Sequence, residues 1–148
     1  MLLASVLALT VSAAPPTTKE IKQEKRALAS SNSQNGSIYR FGDAKECSKI
    51  LRDYGACGIS TYFKNVNQGA SFVAMPSGVF DKYGASQNNK LCGKTITMTY
   101  KGVTRKAIVA DRNVSKDNSI DMCLDIWQAF GGRDNDGTLR KEIKWTIN

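Results

Sequence analysis

The chain reads as a mainly β protein, a small closed barrel with one or two short helices, and three observations lead there. Thr95-Ile96-Thr97-Met98-Thr99-Tyr100, a Lys101-Gly102 turn and the run Val103 to Ala110 form a hairpin pattern. Its alternation puts Ile96, Met98 and Tyr100 on one face and the threonines on the other. Ser71 to Met75 is a short apolar run halted by Pro76-Ser77-Gly78, as in a buried strand. Ile143, Trp145 and Ile147 alternate with Lys144 and Thr146 in a last strand. Short strands with strict alternation and few helices suit a closed barrel better than a layered α/β fold.

The remaining elements fit around these. Ser37 to Phe41 is a short β-like segment. Cys47, Ile50, Leu51 and Tyr54 recur at helical spacing and stop at Gly55. Val79 to Tyr83 reads as one helical turn. Leu124 to Phe130 reads as a short helix ended by Gly131. Trp127 and Phe130 on its apolar side, and Trp145 in the last strand, read as core.

The N-terminus reads as processed. Leu2 to Val11 is apolar, too short for a membrane span, and is followed by small residues, so residues 1–13 read as a signal peptide cut after Ala13. Residues 14–26 read as a propeptide ending in the dibasic pair Lys25-Arg26. Residues 27–36, rich in Ser, Asn and Gln, read as a flexible lead-in. Residues 37–148 are the domain. From Ala27 onward there are 122 residues, enough for one compact domain.

The 148-residue chain carries a net charge of +8. From Ala27 onward 17 Lys and Arg face 11 Asp and Glu. These bases are dispersed rather than gathered on a stripe with interleaved aromatics, so nucleic acid is not the expected partner. A scattered positive surface suits polyanionic wall polymers, or simply solubility. The four cysteines, 47, 57, 92 and 123, imply two disulfides, and three pairings are open. The chain has no histidine, which excludes Ser-His-Asp and Cys-His catalysis. With no CxxC spacing either, no metal and no cofactor are expected. Asn35-Gly36-Ser37 and Asn113-Val114-Ser115 are glycosylation sequons. A secreted monomer, extracellular or in the cell wall and off the membrane, is expected.

Two acids stand out. Asp111 ends the hairpin's second strand, and Asp121 follows in Ile120-Asp121-Met122. Two nearby carboxylates serve as a catalytic pair or as a ligand-orienting pair. Each has a plainer role: Asp121 as a cap for the helix that follows, Asp111 as an acceptor for loop N–H groups. Tyr39 and Tyr62 are candidate exposed aromatic platforms. Asp134-Asn135-Asp136-Gly137 lacks the rest of a calcium loop and reads as a turn.

From about Gly36 to Trp145 the chain resembles the RlpA-like double-psi β-barrel proteins, the group of expansin-like and barwin-like secreted proteins. The resemblance rests on Gly55-Ala56-Cys57-Gly58, Phe72-Val73-Ala74-Met75, Leu91-Cys92-Gly93-Lys94, Val109-Ala110-Asp111-Arg112 and Ile120-Asp121-Met122. Trp127, Gly131 and Ile143-Lys144-Trp145 follow in the same order. It implies six strands in a double-psi barrel and a Cys57–Cys92 disulfide, which leaves Cys47 with Cys123. It also implies Asp121 as the essential acid, with Asp111 beside it. Departures are visible: the first-strand threonine of expansins falls at Tyr39, the aromatic after the first aspartate at Asn113, and the histidine of plant expansins at Ser119. The expectation is non-catalytic binding of cell-wall polysaccharide in an open groove lined by Tyr39, Asp111 and Asp121. The alternative is a protein-binding module, a protease inhibitor or secreted effector, using the loops 58–69 and 86–91. A glycan-cleaving enzyme with Asp121 as acid and Asp111 as its partner is the third reading.

Overall fold

The computed structural model describes residues 26–148 together with the isolated Ser12 and Ala14. Apart from Ser12, Ala14 and Arg26, the signal segment 1–13 and the propeptide 14–26 lie outside the described residues. Six strands, β1 (Ala29–Ile38), β2 (Phe72–Pro76), β3 (Thr95–Tyr100), β4 (Val103–Asn113), β5 (Ser119–Met122) and β6 (Arg140–Ile147), close into one barrel. Their order around it is β1-β5-β2-β4-β3-β6. The β1–β5 and β2–β4 pairs are parallel, and the other four are antiparallel. Among the described residues closure leaves no strand edge free to pair with another chain.

The core follows the alternation. Ile96 and Met98 of β3, Ile120 and Met122 of β5, and Ile143, Trp145 and Ile147 of β6 are buried. The partners of Ile96 and Met98 on β6 are Ile147 and Trp145. Trp127 and Phe130 are buried as their periodicity requires.

Three expectations change. Residues 27–36 are not a loose lead-in: most of them belong to β1, which pairs with β6 along its first part and with β5 from Asn35 to Ile38. Polar side chains conceal this strand, because they are satisfied inside the fold. Buried Gln34 accepts from Trp145 Nε1 at 3.3 Å and donates to the Asn118 carbonyl at 2.6 Å. Tyr54, placed by periodicity on the apolar helix face, is 83% exposed at the helix end. Asn113 of the second sequon is itself buried, and its Nδ2 donates to the Ser119 carbonyl at 2.9 Å, so the folded chain has no room for a glycan on it.

Helix α1 (Ala44–Tyr54) starts where Asp43 accepts from the Lys45 and Glu46 amides at 2.8 and 3.3 Å. It buries Cys47 and Leu51 and packs on β2. The short helices α2 (Ile59–Tyr62), α3 (Ser77–Phe80) and α4 (Leu124–Ala129) occupy the connections. Cys47–Cys123 ties α1 to the residue before α4, and Cys57–Cys92 ties the turn after α1 to the approach to β3. On the chain-entropy view these links, spanning 76 and 35 residues, are each worth about 4 kcal/mol. Two such bonds suit a chain that folds in an oxidising compartment.

Gly55 sets the seat of α1 on the barrel. A Cβ there would lie 2.4 Å from both the Ala110 and Leu51 carbonyl oxygens and 3.0 Å from Asp111 Cβ. These backbone atoms cannot swing aside. Gly55→Ala is expected to lower stability in denaturant titrations by about 1–3 kcal/mol, whereas an unchanged midpoint would mean that α1 seats differently.

Candidate functional site

Asp111 and Asp121 reach one face through a single residue of β2. Ala74 pairs with Asp111 on its parallel neighbour β4 and with Asp121 on its antiparallel neighbour β5. Paired residues on adjacent strands point to the same side of a sheet. Gly36, next to Ser37, packs its Cα side on the inward Met122 and Ile143, so Ser37 and its register partner Asp121 lie on the outside of the barrel. Two strand spacings separate the acids, roughly 10 Å between Cα atoms. Ala74 is buried, so the floor between them is closed.

The two carboxylates are held differently. Asp111 Oδ1 accepts from the backbone N–H groups of Ala56 and Arg112, both at 2.8 Å. This is the plain loop-holding role, and it fastens the Gly55-Ala56 turn to β4. The Arg112 side chain forms a bidentate pair with Asp81 at 2.6 and 2.7 Å. Asp121 does not cap α4: the capping position there is Cys123, which makes no side-chain cap. Asp121 Oδ1 accepts instead from Ser37 Oγ. Ser37 Oγ lies 2.7 Å from Ser119 Oγ, and Ser119 Oγ donates to Asp117 Oδ1 at 2.5 Å. Asn113 Nδ2 donates to Ser119 Oγ at 3.2 Å.

Burial pushes the Asp121 carboxyl up to about 6 from an ordinary 3.8, and the Asp117 and Asp111 charges push the same way, against the Ser37 hydrogen bond. Among the described residues no cation forms an ion pair with it.

Tyr39 follows β1, extends its ladder by donating its N–H to the Met122 carbonyl at 2.8 Å, and is 39% exposed. It therefore stands at the end of β1 on the β5 side, close in the chain to Ser37. Tyr62, 61% exposed, sits in α2, which follows Cys57, whose N–H donates to the Ala110 carbonyl of β4. The resemblance put the first-strand hydroxyl position at Tyr39, but the hydroxyl that touches Asp121 belongs to Ser37, two residues earlier. Ser37, Asp117 and the role of Ser119 escaped the sequence analysis, since isolated serines 82 residues apart show no spacing pattern.

Three surface hollows stand out among the described residues. One of about 620 Å³ runs along the Lys45, Lys49 and Arg52 side of α1. One of about 530 Å³ lies between Ala56, Arg112, Asp81 and Ser86, adjoining Asp111 through the two residues whose amides hold it. One of about 260 Å³ crosses β1, β3 and β6. None of the three is lined by Tyr39, Asp111 or Asp121. Among the described residues no cluster of His, Cys, Asp and Glu is placed to hold a metal.

No protein-family model and no curated protein matches the sequence. Solved structures do match. Cerato-platanin 3 from M. perniciosa superimposes with a TM-score of 0.52 at 15% identity, over 78% of this chain and 93% of that one. With the closed six-strand order and its two parallel pairs, this decides the architecture. The chain is a double-psi β-barrel. Weaker likenesses are to a Streptomyces papain inhibitor (TM-score 0.49, 21% identity, 82% of this chain and 96% of that one) and to a Clavibacter michiganensis expansin in complex with cellohexaose (0.46, 17%, 78% and 50%). At these identities the likeness is one of fold. On this double-psi barrel Asp121 is the half-buried acid and Asp111 the backbone-bound one.

The folded-state value of Asp121 lies above its unfolded one, so the native state binds the extra proton between about pH 4 and 6. Stability therefore falls as pH rises through that window and stays lower above it. Asp121→Asn removes the penalty. At pH 7.5 it is expected to gain on the order of 1–2 kcal/mol, allowing for partial exposure, and at pH 4.5 little or nothing. Equal effects at both pH values in urea unfolding would contradict the assignment.

Proposed function

We propose that this chain is an exported, non-catalytic protein that binds a cell-wall polysaccharide along the outer face running from Tyr39 over Asp121 to Asp111. The observation that carries the reading is the unequal fastening of the two acids. Asp111 is occupied by two amides, so it is poorly disposed to act as nucleophile or base. Asp121, beside the Ser37 hydroxyl, offers a polar group that can exchange hydrogen bonds with sugar hydroxyls. Tyr39 adds a partly exposed ring against which the apolar face of a sugar can pack. Glycosidases need two carboxyls at a set separation, and here Asp111 is engaged through Oδ1 in holding the Ala56 and Arg112 amides. The dispersed positive charge draws anionic wall polymers at longer range. Processing after Lys25-Arg26 would leave Ala27 as the first residue and β1 whole.

A second reading, binding to a protein, is favoured by Tyr62. This exposed ring sits on the loop that follows Cys57, and the Cys57–Cys92 bond holds that loop's base. A rigid aromatic on a tethered loop loses little entropy on docking. Inhibition of a protease that is lost in Tyr62→Ala and kept in Asp121→Asn would favour it over the first.

Protein recovered from the medium of a secretory host, starting at Ala27, is expected to sediment with insoluble cellulose, chitin or peptidoglycan at low salt. It should release no reducing ends. Tyr39→Ala and Asp121→Ala should each weaken retention about tenfold. Failure to bind all three polymers, or retention untouched by both substitutions, would defeat the polysaccharide reading.

A further inference from the structure

The contacts joining Asp121 to Asp117 can be counted in protons. Three close oxygen pairs lie in a row: Asp121 Oδ1 with Ser37 Oγ, Ser37 Oγ with Ser119 Oγ at 2.7 Å, and Ser119 Oγ with Asp117 Oδ1 at 2.5 Å. Each pair at such a distance needs one proton between its oxygens. The two hydroxyls supply two. Asn113 Nδ2 donates to Ser119 Oγ from the side and fills none of the three gaps. With both acids ionised, one pair of oxygens faces each other lone pair to lone pair. One added proton reverses the Ser37-to-Asp121 bond and completes the row in a single direction: Asp121 donates to Ser37, Ser37 to Ser119, and Ser119 to the Asp117 carboxylate.

We propose that Asp121 and Asp117 hold one proton between them through the Ser37–Ser119 hydroxyl bridge, and that the polymer binds the form in which this proton is present. The second half rests on the polysaccharide reading above; the first does not. Burial favours the proton on Asp121, the neutral member. The charged groups around Asp121 are Asp117 in the loop before β5 and Asp111 on β4, while β1 and β2 meet it with Ser37 and Ala74. Arg40 follows Tyr39 in the chain and is turned to Glu46. The direction to about 6 agrees with a retained proton. With the row complete, Asp121 Oδ2 remains as an acceptor for a sugar hydroxyl, and β1 is fastened to β5 beside Tyr39. Loss of the proton leaves one repelling oxygen pair and loosens the site, so binding weakens through lost preorganisation. The chain has no histidine, so no imidazole competes as the titrating group near pH 6.

The test is a carboxyl-carbon NMR titration of the mature domain, with Asp121 and Asp117 assigned. In the wild type the Asp121 carboxyl is expected to titrate near pH 6. Ser119→Ala breaks the row and frees the Ser37 hydroxyl to serve Asp121 alone, so the Asp121 midpoint should fall by about half a pH unit or more. Ser37→Thr keeps the hydroxyl and should leave it in place. An Asp121 midpoint unmoved by Ser119→Ala would overturn the shared proton. Retention on cellulose, chitin and peptidoglycan is measured at pH 5 and 7.5 alongside. At least threefold stronger retention at pH 5, lost in folded Ser119→Ala, supports the second half. Retention equal at both values overturns that half alone. Absence of retention at either pH overturns it together with the polysaccharide reading, while the NMR result stands by itself.

Discussion

The structure depends on β2 being hydrogen-bonded along both edges at Ala74. A parallel strand on one side and an antiparallel one on the other put two acids from separate parts of the hairpin region into one register. The register is steric and hydrogen-bonded before it is chemical. A slip of one residue in β5 would turn Asp121 into the core and expose Met122 or Ile120. Burial of those two side chains thus holds the acid outside.

The surroundings of that register are clamped rather than filled. The connection between β1 and β2, which flank β5 without pairing with each other, carries α1 and the turn after it. Asp43 starts that helix, Gly55 lets its end lie close to β4, and the two disulfides hold its middle and its exit. Asp111 completes the clamp by taking the Ala56 amide. On this barrel the acid inherited by resemblance as a neighbour of the site has become part of its frame.

Legibility in the sequence followed chemistry. The β3–β4 hairpin was readable because Ile96 and Met98 alternate with threonines, and burial of one face leaves that pattern no other use. The first strand was not readable. Its core-facing positions include Gln34 and Gly36, and its polar side chains pair with groups far along the chain: Gln34 with Asn118 and Trp145, Asn35 with the Asp117 carbonyl, Ser37 with Ser119 and Asp121. Such partners carry no periodicity. Tyr54 misled for the converse reason: helical spacing marked it as apolar, but the helix ends at that residue and the ring stands in solvent. Asp111 and Asp121 stood out because acids at strand ends are few. Which of them was free could be told only from the Ala56 and Arg112 amides.

The most direct test of the central claim is a chemical-shift map of the mature domain titrated with cellohexaose and, separately, chitohexaose. Shifts gathered on Ser37, Tyr39, Ala74, Asp111 and Asp121, across β1, β5, β2 and β4, are the predicted result. Shifts confined to the 58–69 and 86–91 loops, or to Lys45 and Lys49 on α1, would contradict it.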